Sequence, residues 1–291
     1  MAPQPVVAGT DGSEESLRAV DWAAREAVFR GLPLRIVSSV ALPPRLNDSE
    51  AVPGVDSVSD TLRKARGRAL AAAAERAAAV APDLVVDVDE LTGAPAHAVT
   101  GAGSGASMVV VGARGAGAFT AMNLGSVSRY VSAHATCPVV VVREETTAAH
   151  RQVGVGIGDP ARSAAALAFA FEEAALRNAS LIAVHAWDSP YGQLGSAMRA
   201  LATRGRPALK EETAEQLDSL LADWRGKYPD VQVSHDFVQA HPGRALVGLS
   251  ARADLVVLGR HTTHGGLPGV GAVRHAVLNH AHGTVVTVPS S

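Results

Sequence analysis

Aromatic residues make up only 4% of this 291-residue sequence, and cysteine occurs once. No apolar stretch approaches the ~18 residues of a membrane span without a charge or a helix breaker. Each shortage removes a class of answer. With few aromatics, Val, Ala, Leu and Ile must build the cores, which favours parallel sheets flanked by Ala-rich helices. The lone Cys137 excludes an intramolecular disulfide and fits a reducing compartment. The opening "MAPQPVVAGTDGS" lacks the basic-then-apolar layout of a secretion signal. A cytoplasmic chain with no membrane partner is the expectation. Formal net charge is -2 and no basic run occurs, so bulk electrostatics gives no support for nucleic-acid binding.

What is present is a sequence written twice. "VVAGTDGSEESLRAVDWAAREA" opens the chain and "VGVGIGDPARSAAALAFAFEEA" begins at Val153. Ser16 and Ser163 are 147 residues apart, as are Val37 and Val184, Pro95 and Pro242, and Gly112 and Gly259. The offset falls to 146 at Gly125 and Gly271, so the second copy has lost one residue in a loop. The joint lies near "EETTAAHR", giving expected domains of 1–147 and 148–291.

Within each copy, short apolar runs alternate with helical periodicity. "PVVAG", "LRIVSSV", "LVVDVDEL", "SMVVVG" and "PVVVV" read as strands. Residues 14–30 carry Leu17, Val20, Ala24 and Val28 at helical spacing behind a Ser13 cap. A polar, Pro-rich stretch is expected over 41–60, then a long helix. The alternation predicts an α/β fold of two tandem, doubly wound parallel-sheet domains, Rossmann-like, with about five strands each.

Such sheets bind ligands beyond the carboxyl ends of their strands, where strand order reverses. Asp11 follows strand one in "GTDGS", and "GARGAGAFTAMNLGS" follows strand four. That loop is nearly bare of charge, and its glycines allow backbone to approach a ligand closely. It ends at Gly125-Ser126, where a helix N-terminus offers free N–H groups and a hydroxyl to a phosphate. A carboxylate such as Asp11 suits ribose hydroxyls or a phosphate-bound metal ion. No Walker P-loop occurs, and "GVGIG" at 154–158 reads as strand.

The spacing Gly112-x2-Gly115-x9-Gly125-Ser126 resembles the G-x2-G-x9-G-[ST] signature of ATP-binding universal stress proteins. "VVAGTDGSEES", "VHAWD" and "SVSRYVSAHATCPVVVV" are similar to that family too, and the likeness covers both copies. It implies the adenine-nucleotide alpha-hydrolase-like fold, ATP as ligand, often with Mg2+ or Mn2+ held through the phosphates, and a stress-linked regulatory role. Residue by residue, it implies Asp11 near the adenosine and Val40 at the adenine edge. Gly112, Arg114, Gly115, Gly125, Ser126, Val127 and Ser128 fall at the phosphates. No catalytic residue is implied, with weak or no hydrolysis. The resemblance also implies a homodimer and an unidentified protein partner.

The second copy departs from that pattern. Asp11 aligns with Gly158, leaving Asp159 one residue late, Gly115 becomes Thr262 and Ser126 becomes Ala272. Gly259, Arg260, Gly269, Gly271, Ala272 and Val273 remain as candidate contacts to a second ATP, with His261 adding charge. Losing a hydrogen bond to a charged group costs about 1.5–3 kcal/mol, which weakens binding without excluding it.

Other signals count for little. His261, His264, His280 and His282 invite a zinc reading, but the second half has no Cys. Asp11, His134 and Ser126 make no hydrolytic triad, since no G-x-S-x-G elbow is present. The readings in competition with a nucleotide-loaded regulator are a slow ATPase or nucleotidyl-transfer enzyme and an interaction protein without nucleotide.

Overall fold

In the computed structural model, described residues are 3–41, 55–115, 124–143, 149–159, 162–187, 206–260 and 270–290. The chain divides into two compact units, residues 1–145 and 146–291.

Unit 1 is built from β1 (Val6–Gly9), α1 (Glu14–Arg30), β2 (Leu34–Val40), α2 (Val55–Val80), β3 (Val86–Thr92), α3 (Pro95–Ala102), β4 (Met108–Gly112), α4 (Ser126–His134) and β5 (Val139–Val142). Its strands are all parallel, in the order β3-β2-β1-β4-β5. Val6 of β1 pairs with Leu34 on one side and Met108 on the other. β1, β4 and β5 are buried along their whole length, as expected of strands covered on both faces. Order reverses between β1 and β4, so their carboxyl ends part and leave a crevice.

Helix α1 starts where the sequence says it should. Ser13 accepts from Ser16 N at 3.3 Å, Glu14 and Glu15 sit in the first turn, and Gly31 closes the helix with a left-handed φ of 62°. Its buried stripe runs through Ala19, Val20, Ala23, Ala24 and Ala27. Val28, expected on that stripe, is 54% exposed. Small side chains, not the larger ones, mark the face, because α1 lies close against the sheet and the Ala-rich face of α2 (Ala69, Ala73, Ala77). α2 begins at Val55, inside the stretch expected to be irregular.

Unit 2 repeats the plan with β6 (Gln152–Ile157), α5 (Ala164–Leu176), β7 (Ser180–Trp187), α6 (Arg206–Lys227), β8 (Val233–Gln239), α7 (Pro242–Ser250), β9 (Leu255–Arg260), α8 (Val270–His280) and β10 (Thr284–Pro289). Its order is β8-β7-β6-β9-β10, again parallel. "GVGIG" supplies most of β6. The fold is α/β with two doubly wound halves, as the sequence indicated.

Candidate functional site

At the β1/β4 divergence of unit 1 lies a cleft of about 280 Å³. Its floor is the carboxyl end of β1 and β4 with Gly9, Val111 and Gly112, and its walls include Ser39, Pro95 and Val99. Asp11, Arg114, Gly115, Gly125, Ser126, Val127 and Ser128 ring its mouth and far end. Those seven and Gly112 are the residues singled out from the sequence at the strand ends and the loop. Residues 116–123, the middle of that loop, lie outside the described residues.

The turn after β1 is held by hydroxyls. Thr10 Oγ1 and Ser16 Oγ are 3.0 Å apart, Gly12 N donates to Thr10 Oγ1 at 3.1 Å, and Asp11 N donates to Ser16 Oγ at 3.3 Å. Gly12 needs its φ of 82°, and a Cβ there would also lie 2.9 Å from Ala69 Cβ. Asp11 Oδ1 accepts from Ser13 N (3.0 Å) and Ser13 Oγ (2.6 Å), which fixes the carboxylate and leaves Oδ2 facing Gly115. A Cβ on Gly115 would collide with Oδ2. At Gly112 the neighbour is backbone, which cannot swing aside. A Cβ there would fall 2.7 Å from Glu15 O, in the backbone of α1.

Two bonds anchor α4 to the end of β4. Gly125 N donates to Ala113 O at 2.7 Å, and Ser128 Oγ donates to Gly112 O at 2.5 Å. Arg129 N is the amide that bonds back to Gly125 O, so the N–H groups of the preceding turn point out of the helix end. Ser126 is exposed there, while Ser128 is buried and its one proton is already committed. Of the two serines, Ser126 is therefore the hydroxyl that can donate to an anion.

Charge at this end is mixed. Arg114 lies 3.6 Å from Glu15. Burial, then the nearby Arg114, pushes the Arg143 guanidinium below its usual range. Two cations thus follow the ends of β4 and β5. Val40 does not line the cleft. Ser39 does, with its Oγ donating to Gly93 O at 2.7 Å, because successive side chains on β2 point to opposite faces. Thr10, Ser16, Ser39, Pro95, Val99 and Val111 were not legible as site residues. They are ordinary strand, cap and helix residues until the topology gathers them.

In unit 2 the described residues at the corresponding positions differ from those of unit 1. Asp159 stands at the position of Gly12, its backbone is not left-handed, and its exposed carboxylate lies 3.5 Å from Arg162. Arg260 is buried and Gly259 half-buried at the end of β9. Gly271 and Ala272 are exposed, Val273 is half-buried, and a Cβ on Gly271 would meet nothing within 4 Å among the described residues, unlike Gly125 beside Ala113 O at 3.4 Å. Gly269, His261, Thr262 and His264 lie outside the described residues. His134 stacks on Tyr130 and its Nδ1 lies 2.8 Å from Tyr130 O, at the opposite end of α4 from Ser126. Among the described residues, no group of three His, Cys, Asp or Glu side chains could hold a metal ion.

A family model for the universal stress protein family matches residues 3–143 and again residues 150–289. The chain belongs to that family. Two universal stress proteins of Mycobacterium tuberculosis are similar over nearly the whole length. One is 36% identical, covering 98% of this chain and 97% of its own, and the other is 34% identical, covering 97% and 93%. A universal stress protein structure from Archaeoglobus fulgidus covers 99% of this chain and 98% of its own, with a TM-score of 0.68 at 16% identity, a likeness of fold. The family is one of stress-response proteins, and this chain carries its domain twice. No helix among the described residues is long and apolar enough to cross a membrane.

Proposed function

We propose that unit 1 binds an adenine nucleotide, ATP foremost, and that occupancy of the cleft biases contacts with a protein partner. The observation that carries this reading is the cleft at the β1/β4 divergence, which brings Asp11, Gly112, Gly115 and the Ser126 end of α4 around one apolar-floored cavity. Purine fits the apolar wall of Val99 and Val111, Asp11 takes ribose hydroxyls, and phosphates meet the α4 amides, Ser126 and Arg114. A carboxylate in that place also suits Mg2+ or Mn2+, but one carboxylate is too few to hold an ion alone, so the phosphates would supply the other oxygens.

The test is to denature the purified protein and identify released nucleotide by chromatography and mass spectrometry, with ATP, AMP and cyclic AMP as standards. A stoichiometric adenine nucleotide, lost from Gly115→Ala, is expected. A nucleotide-free protein that takes up none when it is added back contradicts the reading. Steady phosphate release by the same preparation would move it toward a slow ATPase.

A further inference from the structure

Unit 2 repeats the strand-end plan of unit 1 but not its room. A Cβ on Gly9 of β1 would lie 3.3 and 3.4 Å from the two methyls of Val99 and 3.4 Å from Val111 Cγ1. These valines are the apolar wall of the unit 1 cleft. At the equivalent positions unit 2 carries Leu246 on α7 and Leu258 on β9, each only 5% exposed. A Cβ on Gly156 of β6 would lie 3.0 Å from both methyls of Leu246 and 3.2 Å from Leu258 Cδ2. Two residues earlier on the same face, a Cβ on Gly154 would lie 2.5 Å from Leu249 Cδ2.

The longer side chains thus reach further onto the strand than the valines do. Protein interiors are packed to the density of organic crystals, so space taken by a leucine methyl is not shared with a purine ring. The polar positions change in the same direction. Thr10 becomes Ile157, buried at 3% exposure, and Ser39 becomes Ala186. Ser128, which ties α4 to β4, becomes the half-buried Arg274. Hydroxyls that shape the first cleft are replaced by carbon or by a bulky cation.

We infer that Leu246 and Leu258 close the purine pocket of unit 2, so that the chain carries one nucleotide, in unit 1. The inference rests on the nucleotide reading of unit 1. It makes the two leucines the residues that decide stoichiometry, ahead of the changes in the glycine loop.

Photoaffinity labelling of the intact chain with azido-ATP, followed by intact mass and peptide mapping, tests it. One adduct per chain, in peptides containing residues 9–16, 39 or 112–128, is expected. Two adducts, or labelling of peptides containing 153–163 or 242–258, would overturn the inference and leave the unit 1 reading intact. No saturable adduct anywhere would overturn that reading, and this inference with it. The double variant Leu246→Val and Leu258→Val, which restores the side chains of unit 1, serves as the second measurement. It should raise the count toward two adducts per chain, with the new one in peptides containing 153–163 or 242–258. A folded double variant whose count stays at one would overturn the inference, because the changes in the glycine loop would then decide stoichiometry.

Discussion

The two units share a topology and differ in what fills them. In unit 1, α1 and α2 meet through alanines, and Arg76 bridges the helices to Asp21 (Nη2 to Oδ2, 2.8 Å) and Glu14 (3.1 Å). In unit 2, Asp21 becomes Ala168 and Ala24 becomes Phe171. Phe171 is fully buried, with Trp224 and Tyr228 each 5.7 Å away, and Lys227 Nζ lies 4.5 Å from the Trp224 ring. Both units keep one unusual pair, a fully buried glutamate bonded to an arginine one turn on: Glu26 with Arg30 and Glu173 with Arg177. A duplicated domain has kept its frame while one copy traded polar cleft groups for apolar bulk. The comparison teaches that the frame needs the glutamate–arginine pair and tight strands, but not the cleft.

The largest break in that comparison should come from Phe171→Ala, expected to cost about 3–5 kcal/mol in denaturant unfolding. Nucleotide content should be unchanged, since the ligand sits elsewhere. Next comes Ser126→Ala, expected to weaken ATP binding by about 1.5–3 kcal/mol, roughly ten- to a hundredfold by calorimetry, with stability unaltered. Its mirror, Ala272→Ser, should change neither quantity. A gain in ATP bound by Ala272→Ser would erase the proposed asymmetry.

Arg76→Met should cost about 1 kcal/mol, the scale of a part-exposed ion pair. Hydrogen bonds to Asp21, then Glu14, raise the Arg76 pKa. A raised base contributes fully at every pH below its ordinary range, so the cost should be the same at about pH 6 and pH 9. A cost that vanished toward the alkaline side would contradict that assignment. The smallest effect, and of opposite sign, is expected from Arg274→Met. Burial lowers the Arg274 pKa, which means that folding carries a desolvation cost for a guanidinium that stays charged. Removing the charge should leave stability equal or raise it by up to about 1 kcal/mol. A clear loss in thermal unfolding would mean that the guanidinium makes a contact worth keeping.

Much of this was legible in the sequence. β2 falls on the residues "LRIVSSV" that periodicity marks, and the Ser13 cap and first-turn acids start α1 where they stand. Val28 misled because the buried face of α1 is written in alanine, which a search for larger apolar residues underweights. At the cleft, glycine spacing and Asp11 were readable, since each is a residue type with few other uses in that place. Val40 was marked for its backbone at the adenine edge, whereas the neighbouring Ser39 is the β2 residue that lines the cleft. Changes such as Ser126 to Ala272 could be counted along the chain. The leucines could not, because Val to Leu leaves every apolar pattern intact and only the distance to Gly156 tells them apart.

Hydrogen–deuterium exchange of the intact chain with and without ATP tests the asymmetry most directly. Added protection confined to residues 9–16, the end of β2, and 112–128 is the predicted result. Comparable protection around 156–163 and 258–274 would contradict it, and show that the second copy still works as a nucleotide site.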